Sequence, residues 1–456
     1  MASENGKRFE PLRQHSAVDS PTWAHQVILK AASFSRTLQR WLVGHDMKPC
    51  GYLLATLLLS VTAQAASLEW PQFGGPHRDF TSDAKGLANS WPDSGPRKLW
   101  NRELGDGYSG IVVDLPLLYT MYRRGDQEIT LAADAATGKT VWEHTENAAF
   151  RSYMEMEHGP GPHATPLVTA NAVYAVGVLA NLLCLDKKTG KVLWSHDLYG
   201  EFHGTPMNRG YSVSPIVWKD TVIMNVGGPG HAFIAFSQKD GKVVWQKQDF
   251  ENSPSSPLLI KVDGQDQLVT VMSNDVVGLN PDTGDLLWTH PHQTANGRNI
   301  SLPLWTNGNM LFITSAYNGG CRALELHVVN GKTVVKELWK TNRMRVHFGN
   351  LLRIGDTVYG SNGDFGPAPL TAIEAKTGNV LWQDRTFPKA TFLYADGKLI
   401  VVDEDGNLSL ATVSPAGLKV LARVALLRSN AWTAPALVGT TLYVRDRTSL
   451  MALDLR

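Results

Sequence analysis

Cationic and aromatic side chains recur at one position of a repeat in this 456-residue chain, and capturing an anion is the chemistry they suit. Tyr108, His163, Arg209 with Tyr211, Arg298 with Asn299, Arg345 with His347, Lys389 and Trp432 each stand where a repeated segment begins. His231 ends the glycine-rich loop Gly227-Gly228-Pro229-Gly230-His231. If these segments surround one opening, guanidinium forks and an ammonium group converge on it, and such groups bind carboxylate or phosphate strongly when partly desolvated. The competing reading is structural: the same side chains would hydrogen-bond loop carbonyls and neighbouring segments, as buried polar groups must.

Other chemistries have weaker support. Glu155, Glu157, His158 and His163 are of metal-ligand type, but Pro160 and Pro162 forbid a helix that would array them. Loop packing is expected there, and no metal site. Asp403-Glu404-Asp405-Gly406-Asn407 opens like a calcium loop, yet Ser414 stands where a bidentate Glu is needed, so a hairpin turn is expected. Cys321 ends the loop Tyr317-Asn318-Gly319-Gly320-Cys321 and reads as a small buried apolar group rather than a reactive thiol. The chain has no Cys-x-x-Cys-His, no Gly-x-Ser-x-Gly, no phosphate-cradling Gly-Lys-Ser loop and no His-Glu-x-x-His.

The element that must position these groups is a hairpin. In the stretch from Leu183 to Trp194 an apolar run ends at Asp186, Thr189-Gly190 supplies a tight turn, and a second strand closes on Trp194. The pattern returns at Gly138 with Trp142, Gly241 with Trp245, Gly284 with Trp288 and Gly378 with Trp382, always with the Trp four residues after the Gly. Spacings of roughly 43 to 52 residues are those of propeller blades. Eight units are counted, beginning near Tyr108, His163, Tyr211, Ser255, Asn299, His347, Thr391 and Trp432. The eighth stops at Arg456 before its outer strand, and the segment Arg97 to Leu104, which carries Trp100 but has no strands before it, is expected to supply that strand. Units five and seven lack the regular turn, since Gly331 lies eight residues before Trp339 and Gly417 leads only to Val424, so their outer hairpins should be longer or irregular.

The Asp-x-x-Thr-Gly-x-x-x-Trp pattern resembles the repeats of pyrroloquinoline-quinone-type (PQQ-like) propellers, and the resemblance spans Trp70 to Arg456. It implies an all-β fold: an eight-bladed β-propeller of four-stranded antiparallel blades, the last closed by an N-terminal strand. It also implies that the tryptophans wedge between neighbouring blades. Trp70-Pro71-Gln72-Phe73 is similar to the opening of exported members, and an arm over residues 66–95, packed over one face, is expected before the propeller at 96–456. The Thr-Gly turns would share one face; the opposite face would collect the long links 143–162 and 195–210 and the glycine-rich loops.

Upstream, residues 1–46 carry no repeat and are expected to lie outside the mature protein. Residues 47–65 pair one early positive charge with a short apolar core and an Ala-x-Ala end, as a Sec-type secretory signal does. A periplasmic or secreted protein follows, with no integral membrane span in its mature part. Cys184 and Cys321 then remain, and their separate blades predict two free buried thiols. A net charge of +1 gives no bulk attraction to nucleic acid. The resemblance implies two functional branches. Quinoprotein alcohol dehydrogenases hold PQQ and calcium at the channel mouth, use an Asp base and cover the cofactor with a disulfide between adjacent cysteines; no adjacent cysteine pair occurs here. Binding propellers of the outer-membrane β-barrel assembly machinery act by protein contacts without a cofactor. The favoured expectation is a monomeric, non-catalytic exported propeller that binds a protein partner or small anionic ligand, with a PQQ- and calcium-dependent dehydrogenase as the alternative.

Overall fold

Repeated apolar runs and glycine turns fold into eight antiparallel sheets, each meandering from an inner to an outer strand. The computed structural model describes residues 69–456 apart from His158, Phe365 and Ser429, and among them no helix occurs. The expectations for residues 1–46, for the signal segment 47–65 and for His158 fall outside the described residues.

Blade 1 comprises Val112–Asp114, Leu117–Arg124, Gln127–Asp134 and Thr140–Asn147, and blade 2 comprises Leu167–Val168, Ala172–Val176, Asn181–Asp186 and Val192–Asp197. Blades 3 to 7 begin at Ile216, Leu258, Leu304, Leu352 and Ala390. Blade 8 comprises Ala436–Val438, Thr441–Arg445 and Ser449–Asp454, and its outer strand is Arg97–Glu103, with Trp100 opposite Ala452. The ring is thus closed by the N-terminal strand, as expected. Middle strands lie between neighbouring blades and read as unbroken apolar runs, whereas outer strands are covered on one side and alternate: Asn181–Asp186 is buried throughout its centre, while Val192–Asp197 alternates in exposure.

The joint recurrence of Gly and Trp has a direct cause. Each Trp packs on the turn of the following blade: a Cβ added at Gly241 would stand 2.8 Å from the Trp194 ring, and Trp194 Nε1 donates to the Gln238 carbonyl of that turn (3.1 Å). Trp100 on Gly138, Trp142 on Gly190, Trp245 on Gly284 and Trp339 on Gly378 repeat the contact. Gly241 also sits at φ +72°, where a side chain is strained in any case. Trp288 departs, because blade 5 lacks the glycine turn, and its indole donates instead to Gln267 Oε1 within its own blade (2.7 Å). Blades 5 and 7 do carry the longer outer hairpins, Gly320–Val329 with Lys332–Thr341 and Asn407–Ser414 with Gly417–Ala425. Cys184 and Cys321 are free and buried in blades 2 and 5, where burial pushes their thiols up to about 11 and about 12. The Asp403 turn is a hairpin whose buried carboxylate accepts from Arg423 and Asn407.

The N-terminal arm does more than cover a face. Trp70 pairs with Val113 of blade 1, the Pro71 carbonyl accepts from Val168 of blade 2, Arg78 Nη1 donates to the Pro257 carbonyl beside blade 4, and Thr81–Ser82 runs parallel to the inner strand of blade 7. Contacts with four blades carry the arm across the central channel and seal it at the turn face.

Candidate functional site

Sealing one end turns the channel into a blind cavity of about 420 Å³ that opens on the face opposite the turns. Its floor is apolar, from Trp70, Phe73 and Phe80 of the arm together with Ile111 and Leu302. Phe73 and Phe80 meet edge to face at 5.3 Å.

Above the floor runs a belt of hydroxyl groups at the blade starts, including Thr165, Ser214, Ser256, Ser301 and Thr433. These groups stitch blade to blade. Ser214 Oγ accepts from the Thr165 amide (3.0 Å), Ser256 Oγ accepts from the Ser214 amide (2.9 Å), and Thr433 Oγ1 donates to the Tyr108 carbonyl (3.0 Å). Sequence reasoning missed this belt, although a signal existed: a Ser or Thr one or two residues before a Pro precedes the inner strands of blades 2, 3, 4, 5 and 8. The aromatic floor had no comparable signal, because nothing local in Trp70 to Phe80 says where an arm will dock.

The rim holds five of the eleven residues expected to form the site, Tyr108, His163, Arg209, Arg298 and Trp432. Tyr108 lies between His163 (5.9 Å between rings) and Trp432 (5.1 Å), its buried hydroxyl has no hydrogen-bond partner among the described residues, and burial pushes it up to about 12. Burial holds the His163 imidazole down to about 4, and its Nε2 donates to the Arg209 carbonyl (3.1 Å). The two arginines converge on one carboxylate. Glu155 Oε2 lies 3.2 Å from Arg209 Nε and Oε1 lies 3.5 Å from Arg298 Nη2, while Arg209 Nη2 also donates to Glu157 Oε2 (2.8 Å).

The other six do not line the cavity. Tyr211 is fully buried and its hydroxyl donates to the Asn225 carbonyl (2.5 Å). Asn299 is fully buried and donates to the Met272 carbonyl (2.8 Å). His231 stays in its glycine loop against Gly228, and Arg345 turns to Asp364 (3.6 Å). His347 is buried 2.7 Å from the Tyr317 hydroxyl, and burial, then Lys389, lowers it to about 3. Lys389 Nζ donates to the Asp364 carbonyl and stands 5.0 Å from the Phe348 ring centroid, and burial lowers its pKa. The expected crowd of cations is therefore dispersed: both histidines are held neutral by burial, and the arginines have carboxylate neighbours. Spacing put all of these residues on one face, but which side chains point inward depends on loop paths.

PQQ with calcium would need an anion receptor beside a set of oxygen ligands. Arg209 and Arg298 suit a carboxylated ligand, but among the described residues no group of three or more His, Cys, Asp and Glu could hold a metal ion. Glu155 and Glu157 are engaged by the arginines, so these two carboxylates are not offered to calcium.

An eight-bladed propeller built on tryptophan-to-glycine seams and holding a blind axial cavity defines the class, the PQQ-like repeat propellers. Residues 125–384 match the family model described as outer membrane protein assembly factor BamB, and the chain belongs to that family. It is 23% identical over 298 residues to outer membrane protein assembly factor BamB of Yersinia pestis, covering 62% of this chain and 72% of that protein. It is 25% identical over 201 residues to quinoprotein alcohol dehydrogenase PedH of Pseudomonas putida, covering 40% of this chain but only 29% of that enzyme's length. Among solved structures, BamB from Moraxella catarrhalis superposes with a TM-score of 0.55 at 16% identity, over 79% of this chain and 100% of that one. A quinohemoprotein alcohol dehydrogenase from Comamonas testosteroni gives 0.61 at 14% identity, over 86% and 81%. At such identities the superpositions speak for the fold alone.

Proposed function

We propose that this protein is an exported, non-catalytic binding propeller whose channel mouth recognises an anionic group of a protein partner or small ligand. One observation carries the reading: Arg209 and Arg298, from different blade links, close on a single carboxylate at the rim of a blind cavity. Paired guanidinium groups at a partly desolvated rim are an anion receptor by construction. The family match supports binding over dehydrogenation.

Replacing both arginines, Arg209→Gln with Arg298→Gln, tests the reading. Citrate should raise the melting temperature of the native protein and leave the double variant unmoved. No shift in either protein, with a large loss of stability in the variant, would assign the arginines to structure alone. The same melts with PQQ and calcium distinguish the dehydrogenase alternative, which requires a shift only when both are added. Export is proposed through the segment 47–65, and N-terminal sequencing of the exported protein should begin at Ala66 or Ser67; residues from before Met47 on that protein would refute it.

A further inference from the structure

The cavity is chemically two-ended. The charged side chains that line it, Arg209, Glu251 and Arg298, all come from blade links at the mouth, whereas the sealed end is aromatic and aliphatic. Between them, the hydroxyl belt is largely engaged in stitching the blades, with Ser301 Oγ within reach of the Val346, His347 and Gly349 carbonyls as a further example. A polyhydroxylated ligand would find few free partners on that wall, and an apolar body would lose little there. The volume lies in the range that encloses a small organic molecule.

The arginine pair already holds a carboxylate, that of Glu155. Glu155 is anchored by Asn208, whose carbonyl accepts from the Glu155 amide (2.6 Å) and whose Nδ2 donates to Glu155 Oε1 (2.6 Å). Its side chain remains 47% exposed, and its neighbours Tyr153 and Met156 are exposed apolar groups. The carboxylate therefore bridges Arg209 and Arg298 from the solvent side, without reaching the apolar end.

We infer that the cavity takes an amphiphilic monocarboxylate, its charged end replacing Glu155 between Arg209 and Arg298 and its apolar body lying on Trp70, Phe73 and Phe80. This rests on the reading of the mouth as an anion receptor and adds the class of ligand. Glu155 then acts as a resident competitor that keeps the arginines paired until the ligand arrives.

Calorimetric titration of the full chain with decanoate, decanol and succinate tests it. Decanoate should bind at least about tenfold more tightly than the other two, since decanol lacks the charge-assisted bonds and succinate lacks the tail. Glu155→Gln should tighten decanoate by removing the competing charge, and Arg298→Gln should weaken it by about tenfold. Melting curves of both variants establish that they are folded. Succinate binding as tightly as decanoate would overturn the amphiphile while leaving the anion receptor standing. Decanol matching decanoate, with no effect of Arg298→Gln, would overturn both. An unchanged decanoate affinity in Glu155→Gln, or no binding of any probe, would overturn the inference alone.

Discussion

The seam between blades 3 and 4 and the seam between blades 8 and 1 are built at the same place with different side chains. At the end of the second strand of blade 3, buried Asn225 donates through Nδ2 to the Ser255 carbonyl (3.0 Å) and to Thr270 Oγ1 (3.1 Å) of blade 4. At the end of the second strand of blade 8, fully buried Arg445 donates to the Ser109 carbonyl (3.1 Å) and Thr120 Oγ1 (2.9 Å) of blade 1. Arg445 also reaches the Met121 and Gly107 carbonyls (2.7 and 2.9 Å) and, through Nε, the Asp446 carbonyl (3.2 Å). Burial lowers its pKa to about 10, so it remains charged at neutral pH.

The first seam joins consecutive blades through a short link, and at this position Asn225 contributes two hydrogen bonds across it. The second joins the two ends of the chain. There Arg447 additionally pairs with Asp106, and the Trp100 indole and Tyr443 hydroxyl both donate to the Ala135 carbonyl. At this one position the closing seam has a guanidinium with five hydrogen bonds where the ordinary seam has an amide with two. The seams are alike in geometry and differ in how much the side chains must supply.

The sharpest way to break this comparison is Arg445→Met, which keeps the length but orphans several buried carbonyls. It should cost about 3–5 kcal/mol in urea denaturation, as breaking a buried charged network does. A cost under about 1 kcal/mol would mean that ring closure rests on the outer strand alone.

Asn225→Ala is the matching change at the ordinary seam. About 1–3 kcal/mol is expected for the buried acceptors it leaves unpaired. A penalty equal to that of Arg445→Met would show that the two seams carry the same burden and that the comparison fails.

Acidification should discriminate more gently. His163, His292 and His347 lie among the links at the mouth face, and burial is the main cause that holds them at about 4, about 3 and about 3 in place of 6.5. A folded value below the unfolded one means that the unfolded chain binds more protons. The stability from these neutral histidines is thus complete above pH 6.5 and is lost as pH falls from there toward 4. Melting temperatures should decline over that window, and His292→Asn, which removes one of the two side-chain partners of Ser315, should have a shallower decline. Hydrogen exchange should rise first at the seams near His292 and His347, with the Arg445 seam protected longest.

The repeat makes the propeller readable in the amino-acid sequence, because a blade is a local object. Gly190 and Trp194 act within one hairpin and against the next copy of it, so a period in the sequence becomes a period in space. The same logic located the closing strand at Trp100 and the longer hairpins of blades 5 and 7. Among the expected site residues, Tyr108, His163, Arg209, Arg298 and Trp432 line the cavity, and each stands at or beside a blade start.

Position in a repeat does not decide which way a side chain turns. Tyr211 and Asn299 occupy the same kind of position and point into the seams, because a buried carbonyl there needed a donor. The amino-acid sequence by itself determined the fold class and the blade number. Only the tertiary structure decided that the arm crosses the channel and makes it blind, that Glu155 holds Arg209 and Arg298, and that Arg445 joins the ends. Each of these joins residues from one blade apart to the whole ring apart, where no local pattern records the contact and only the folded ring brings the partners together.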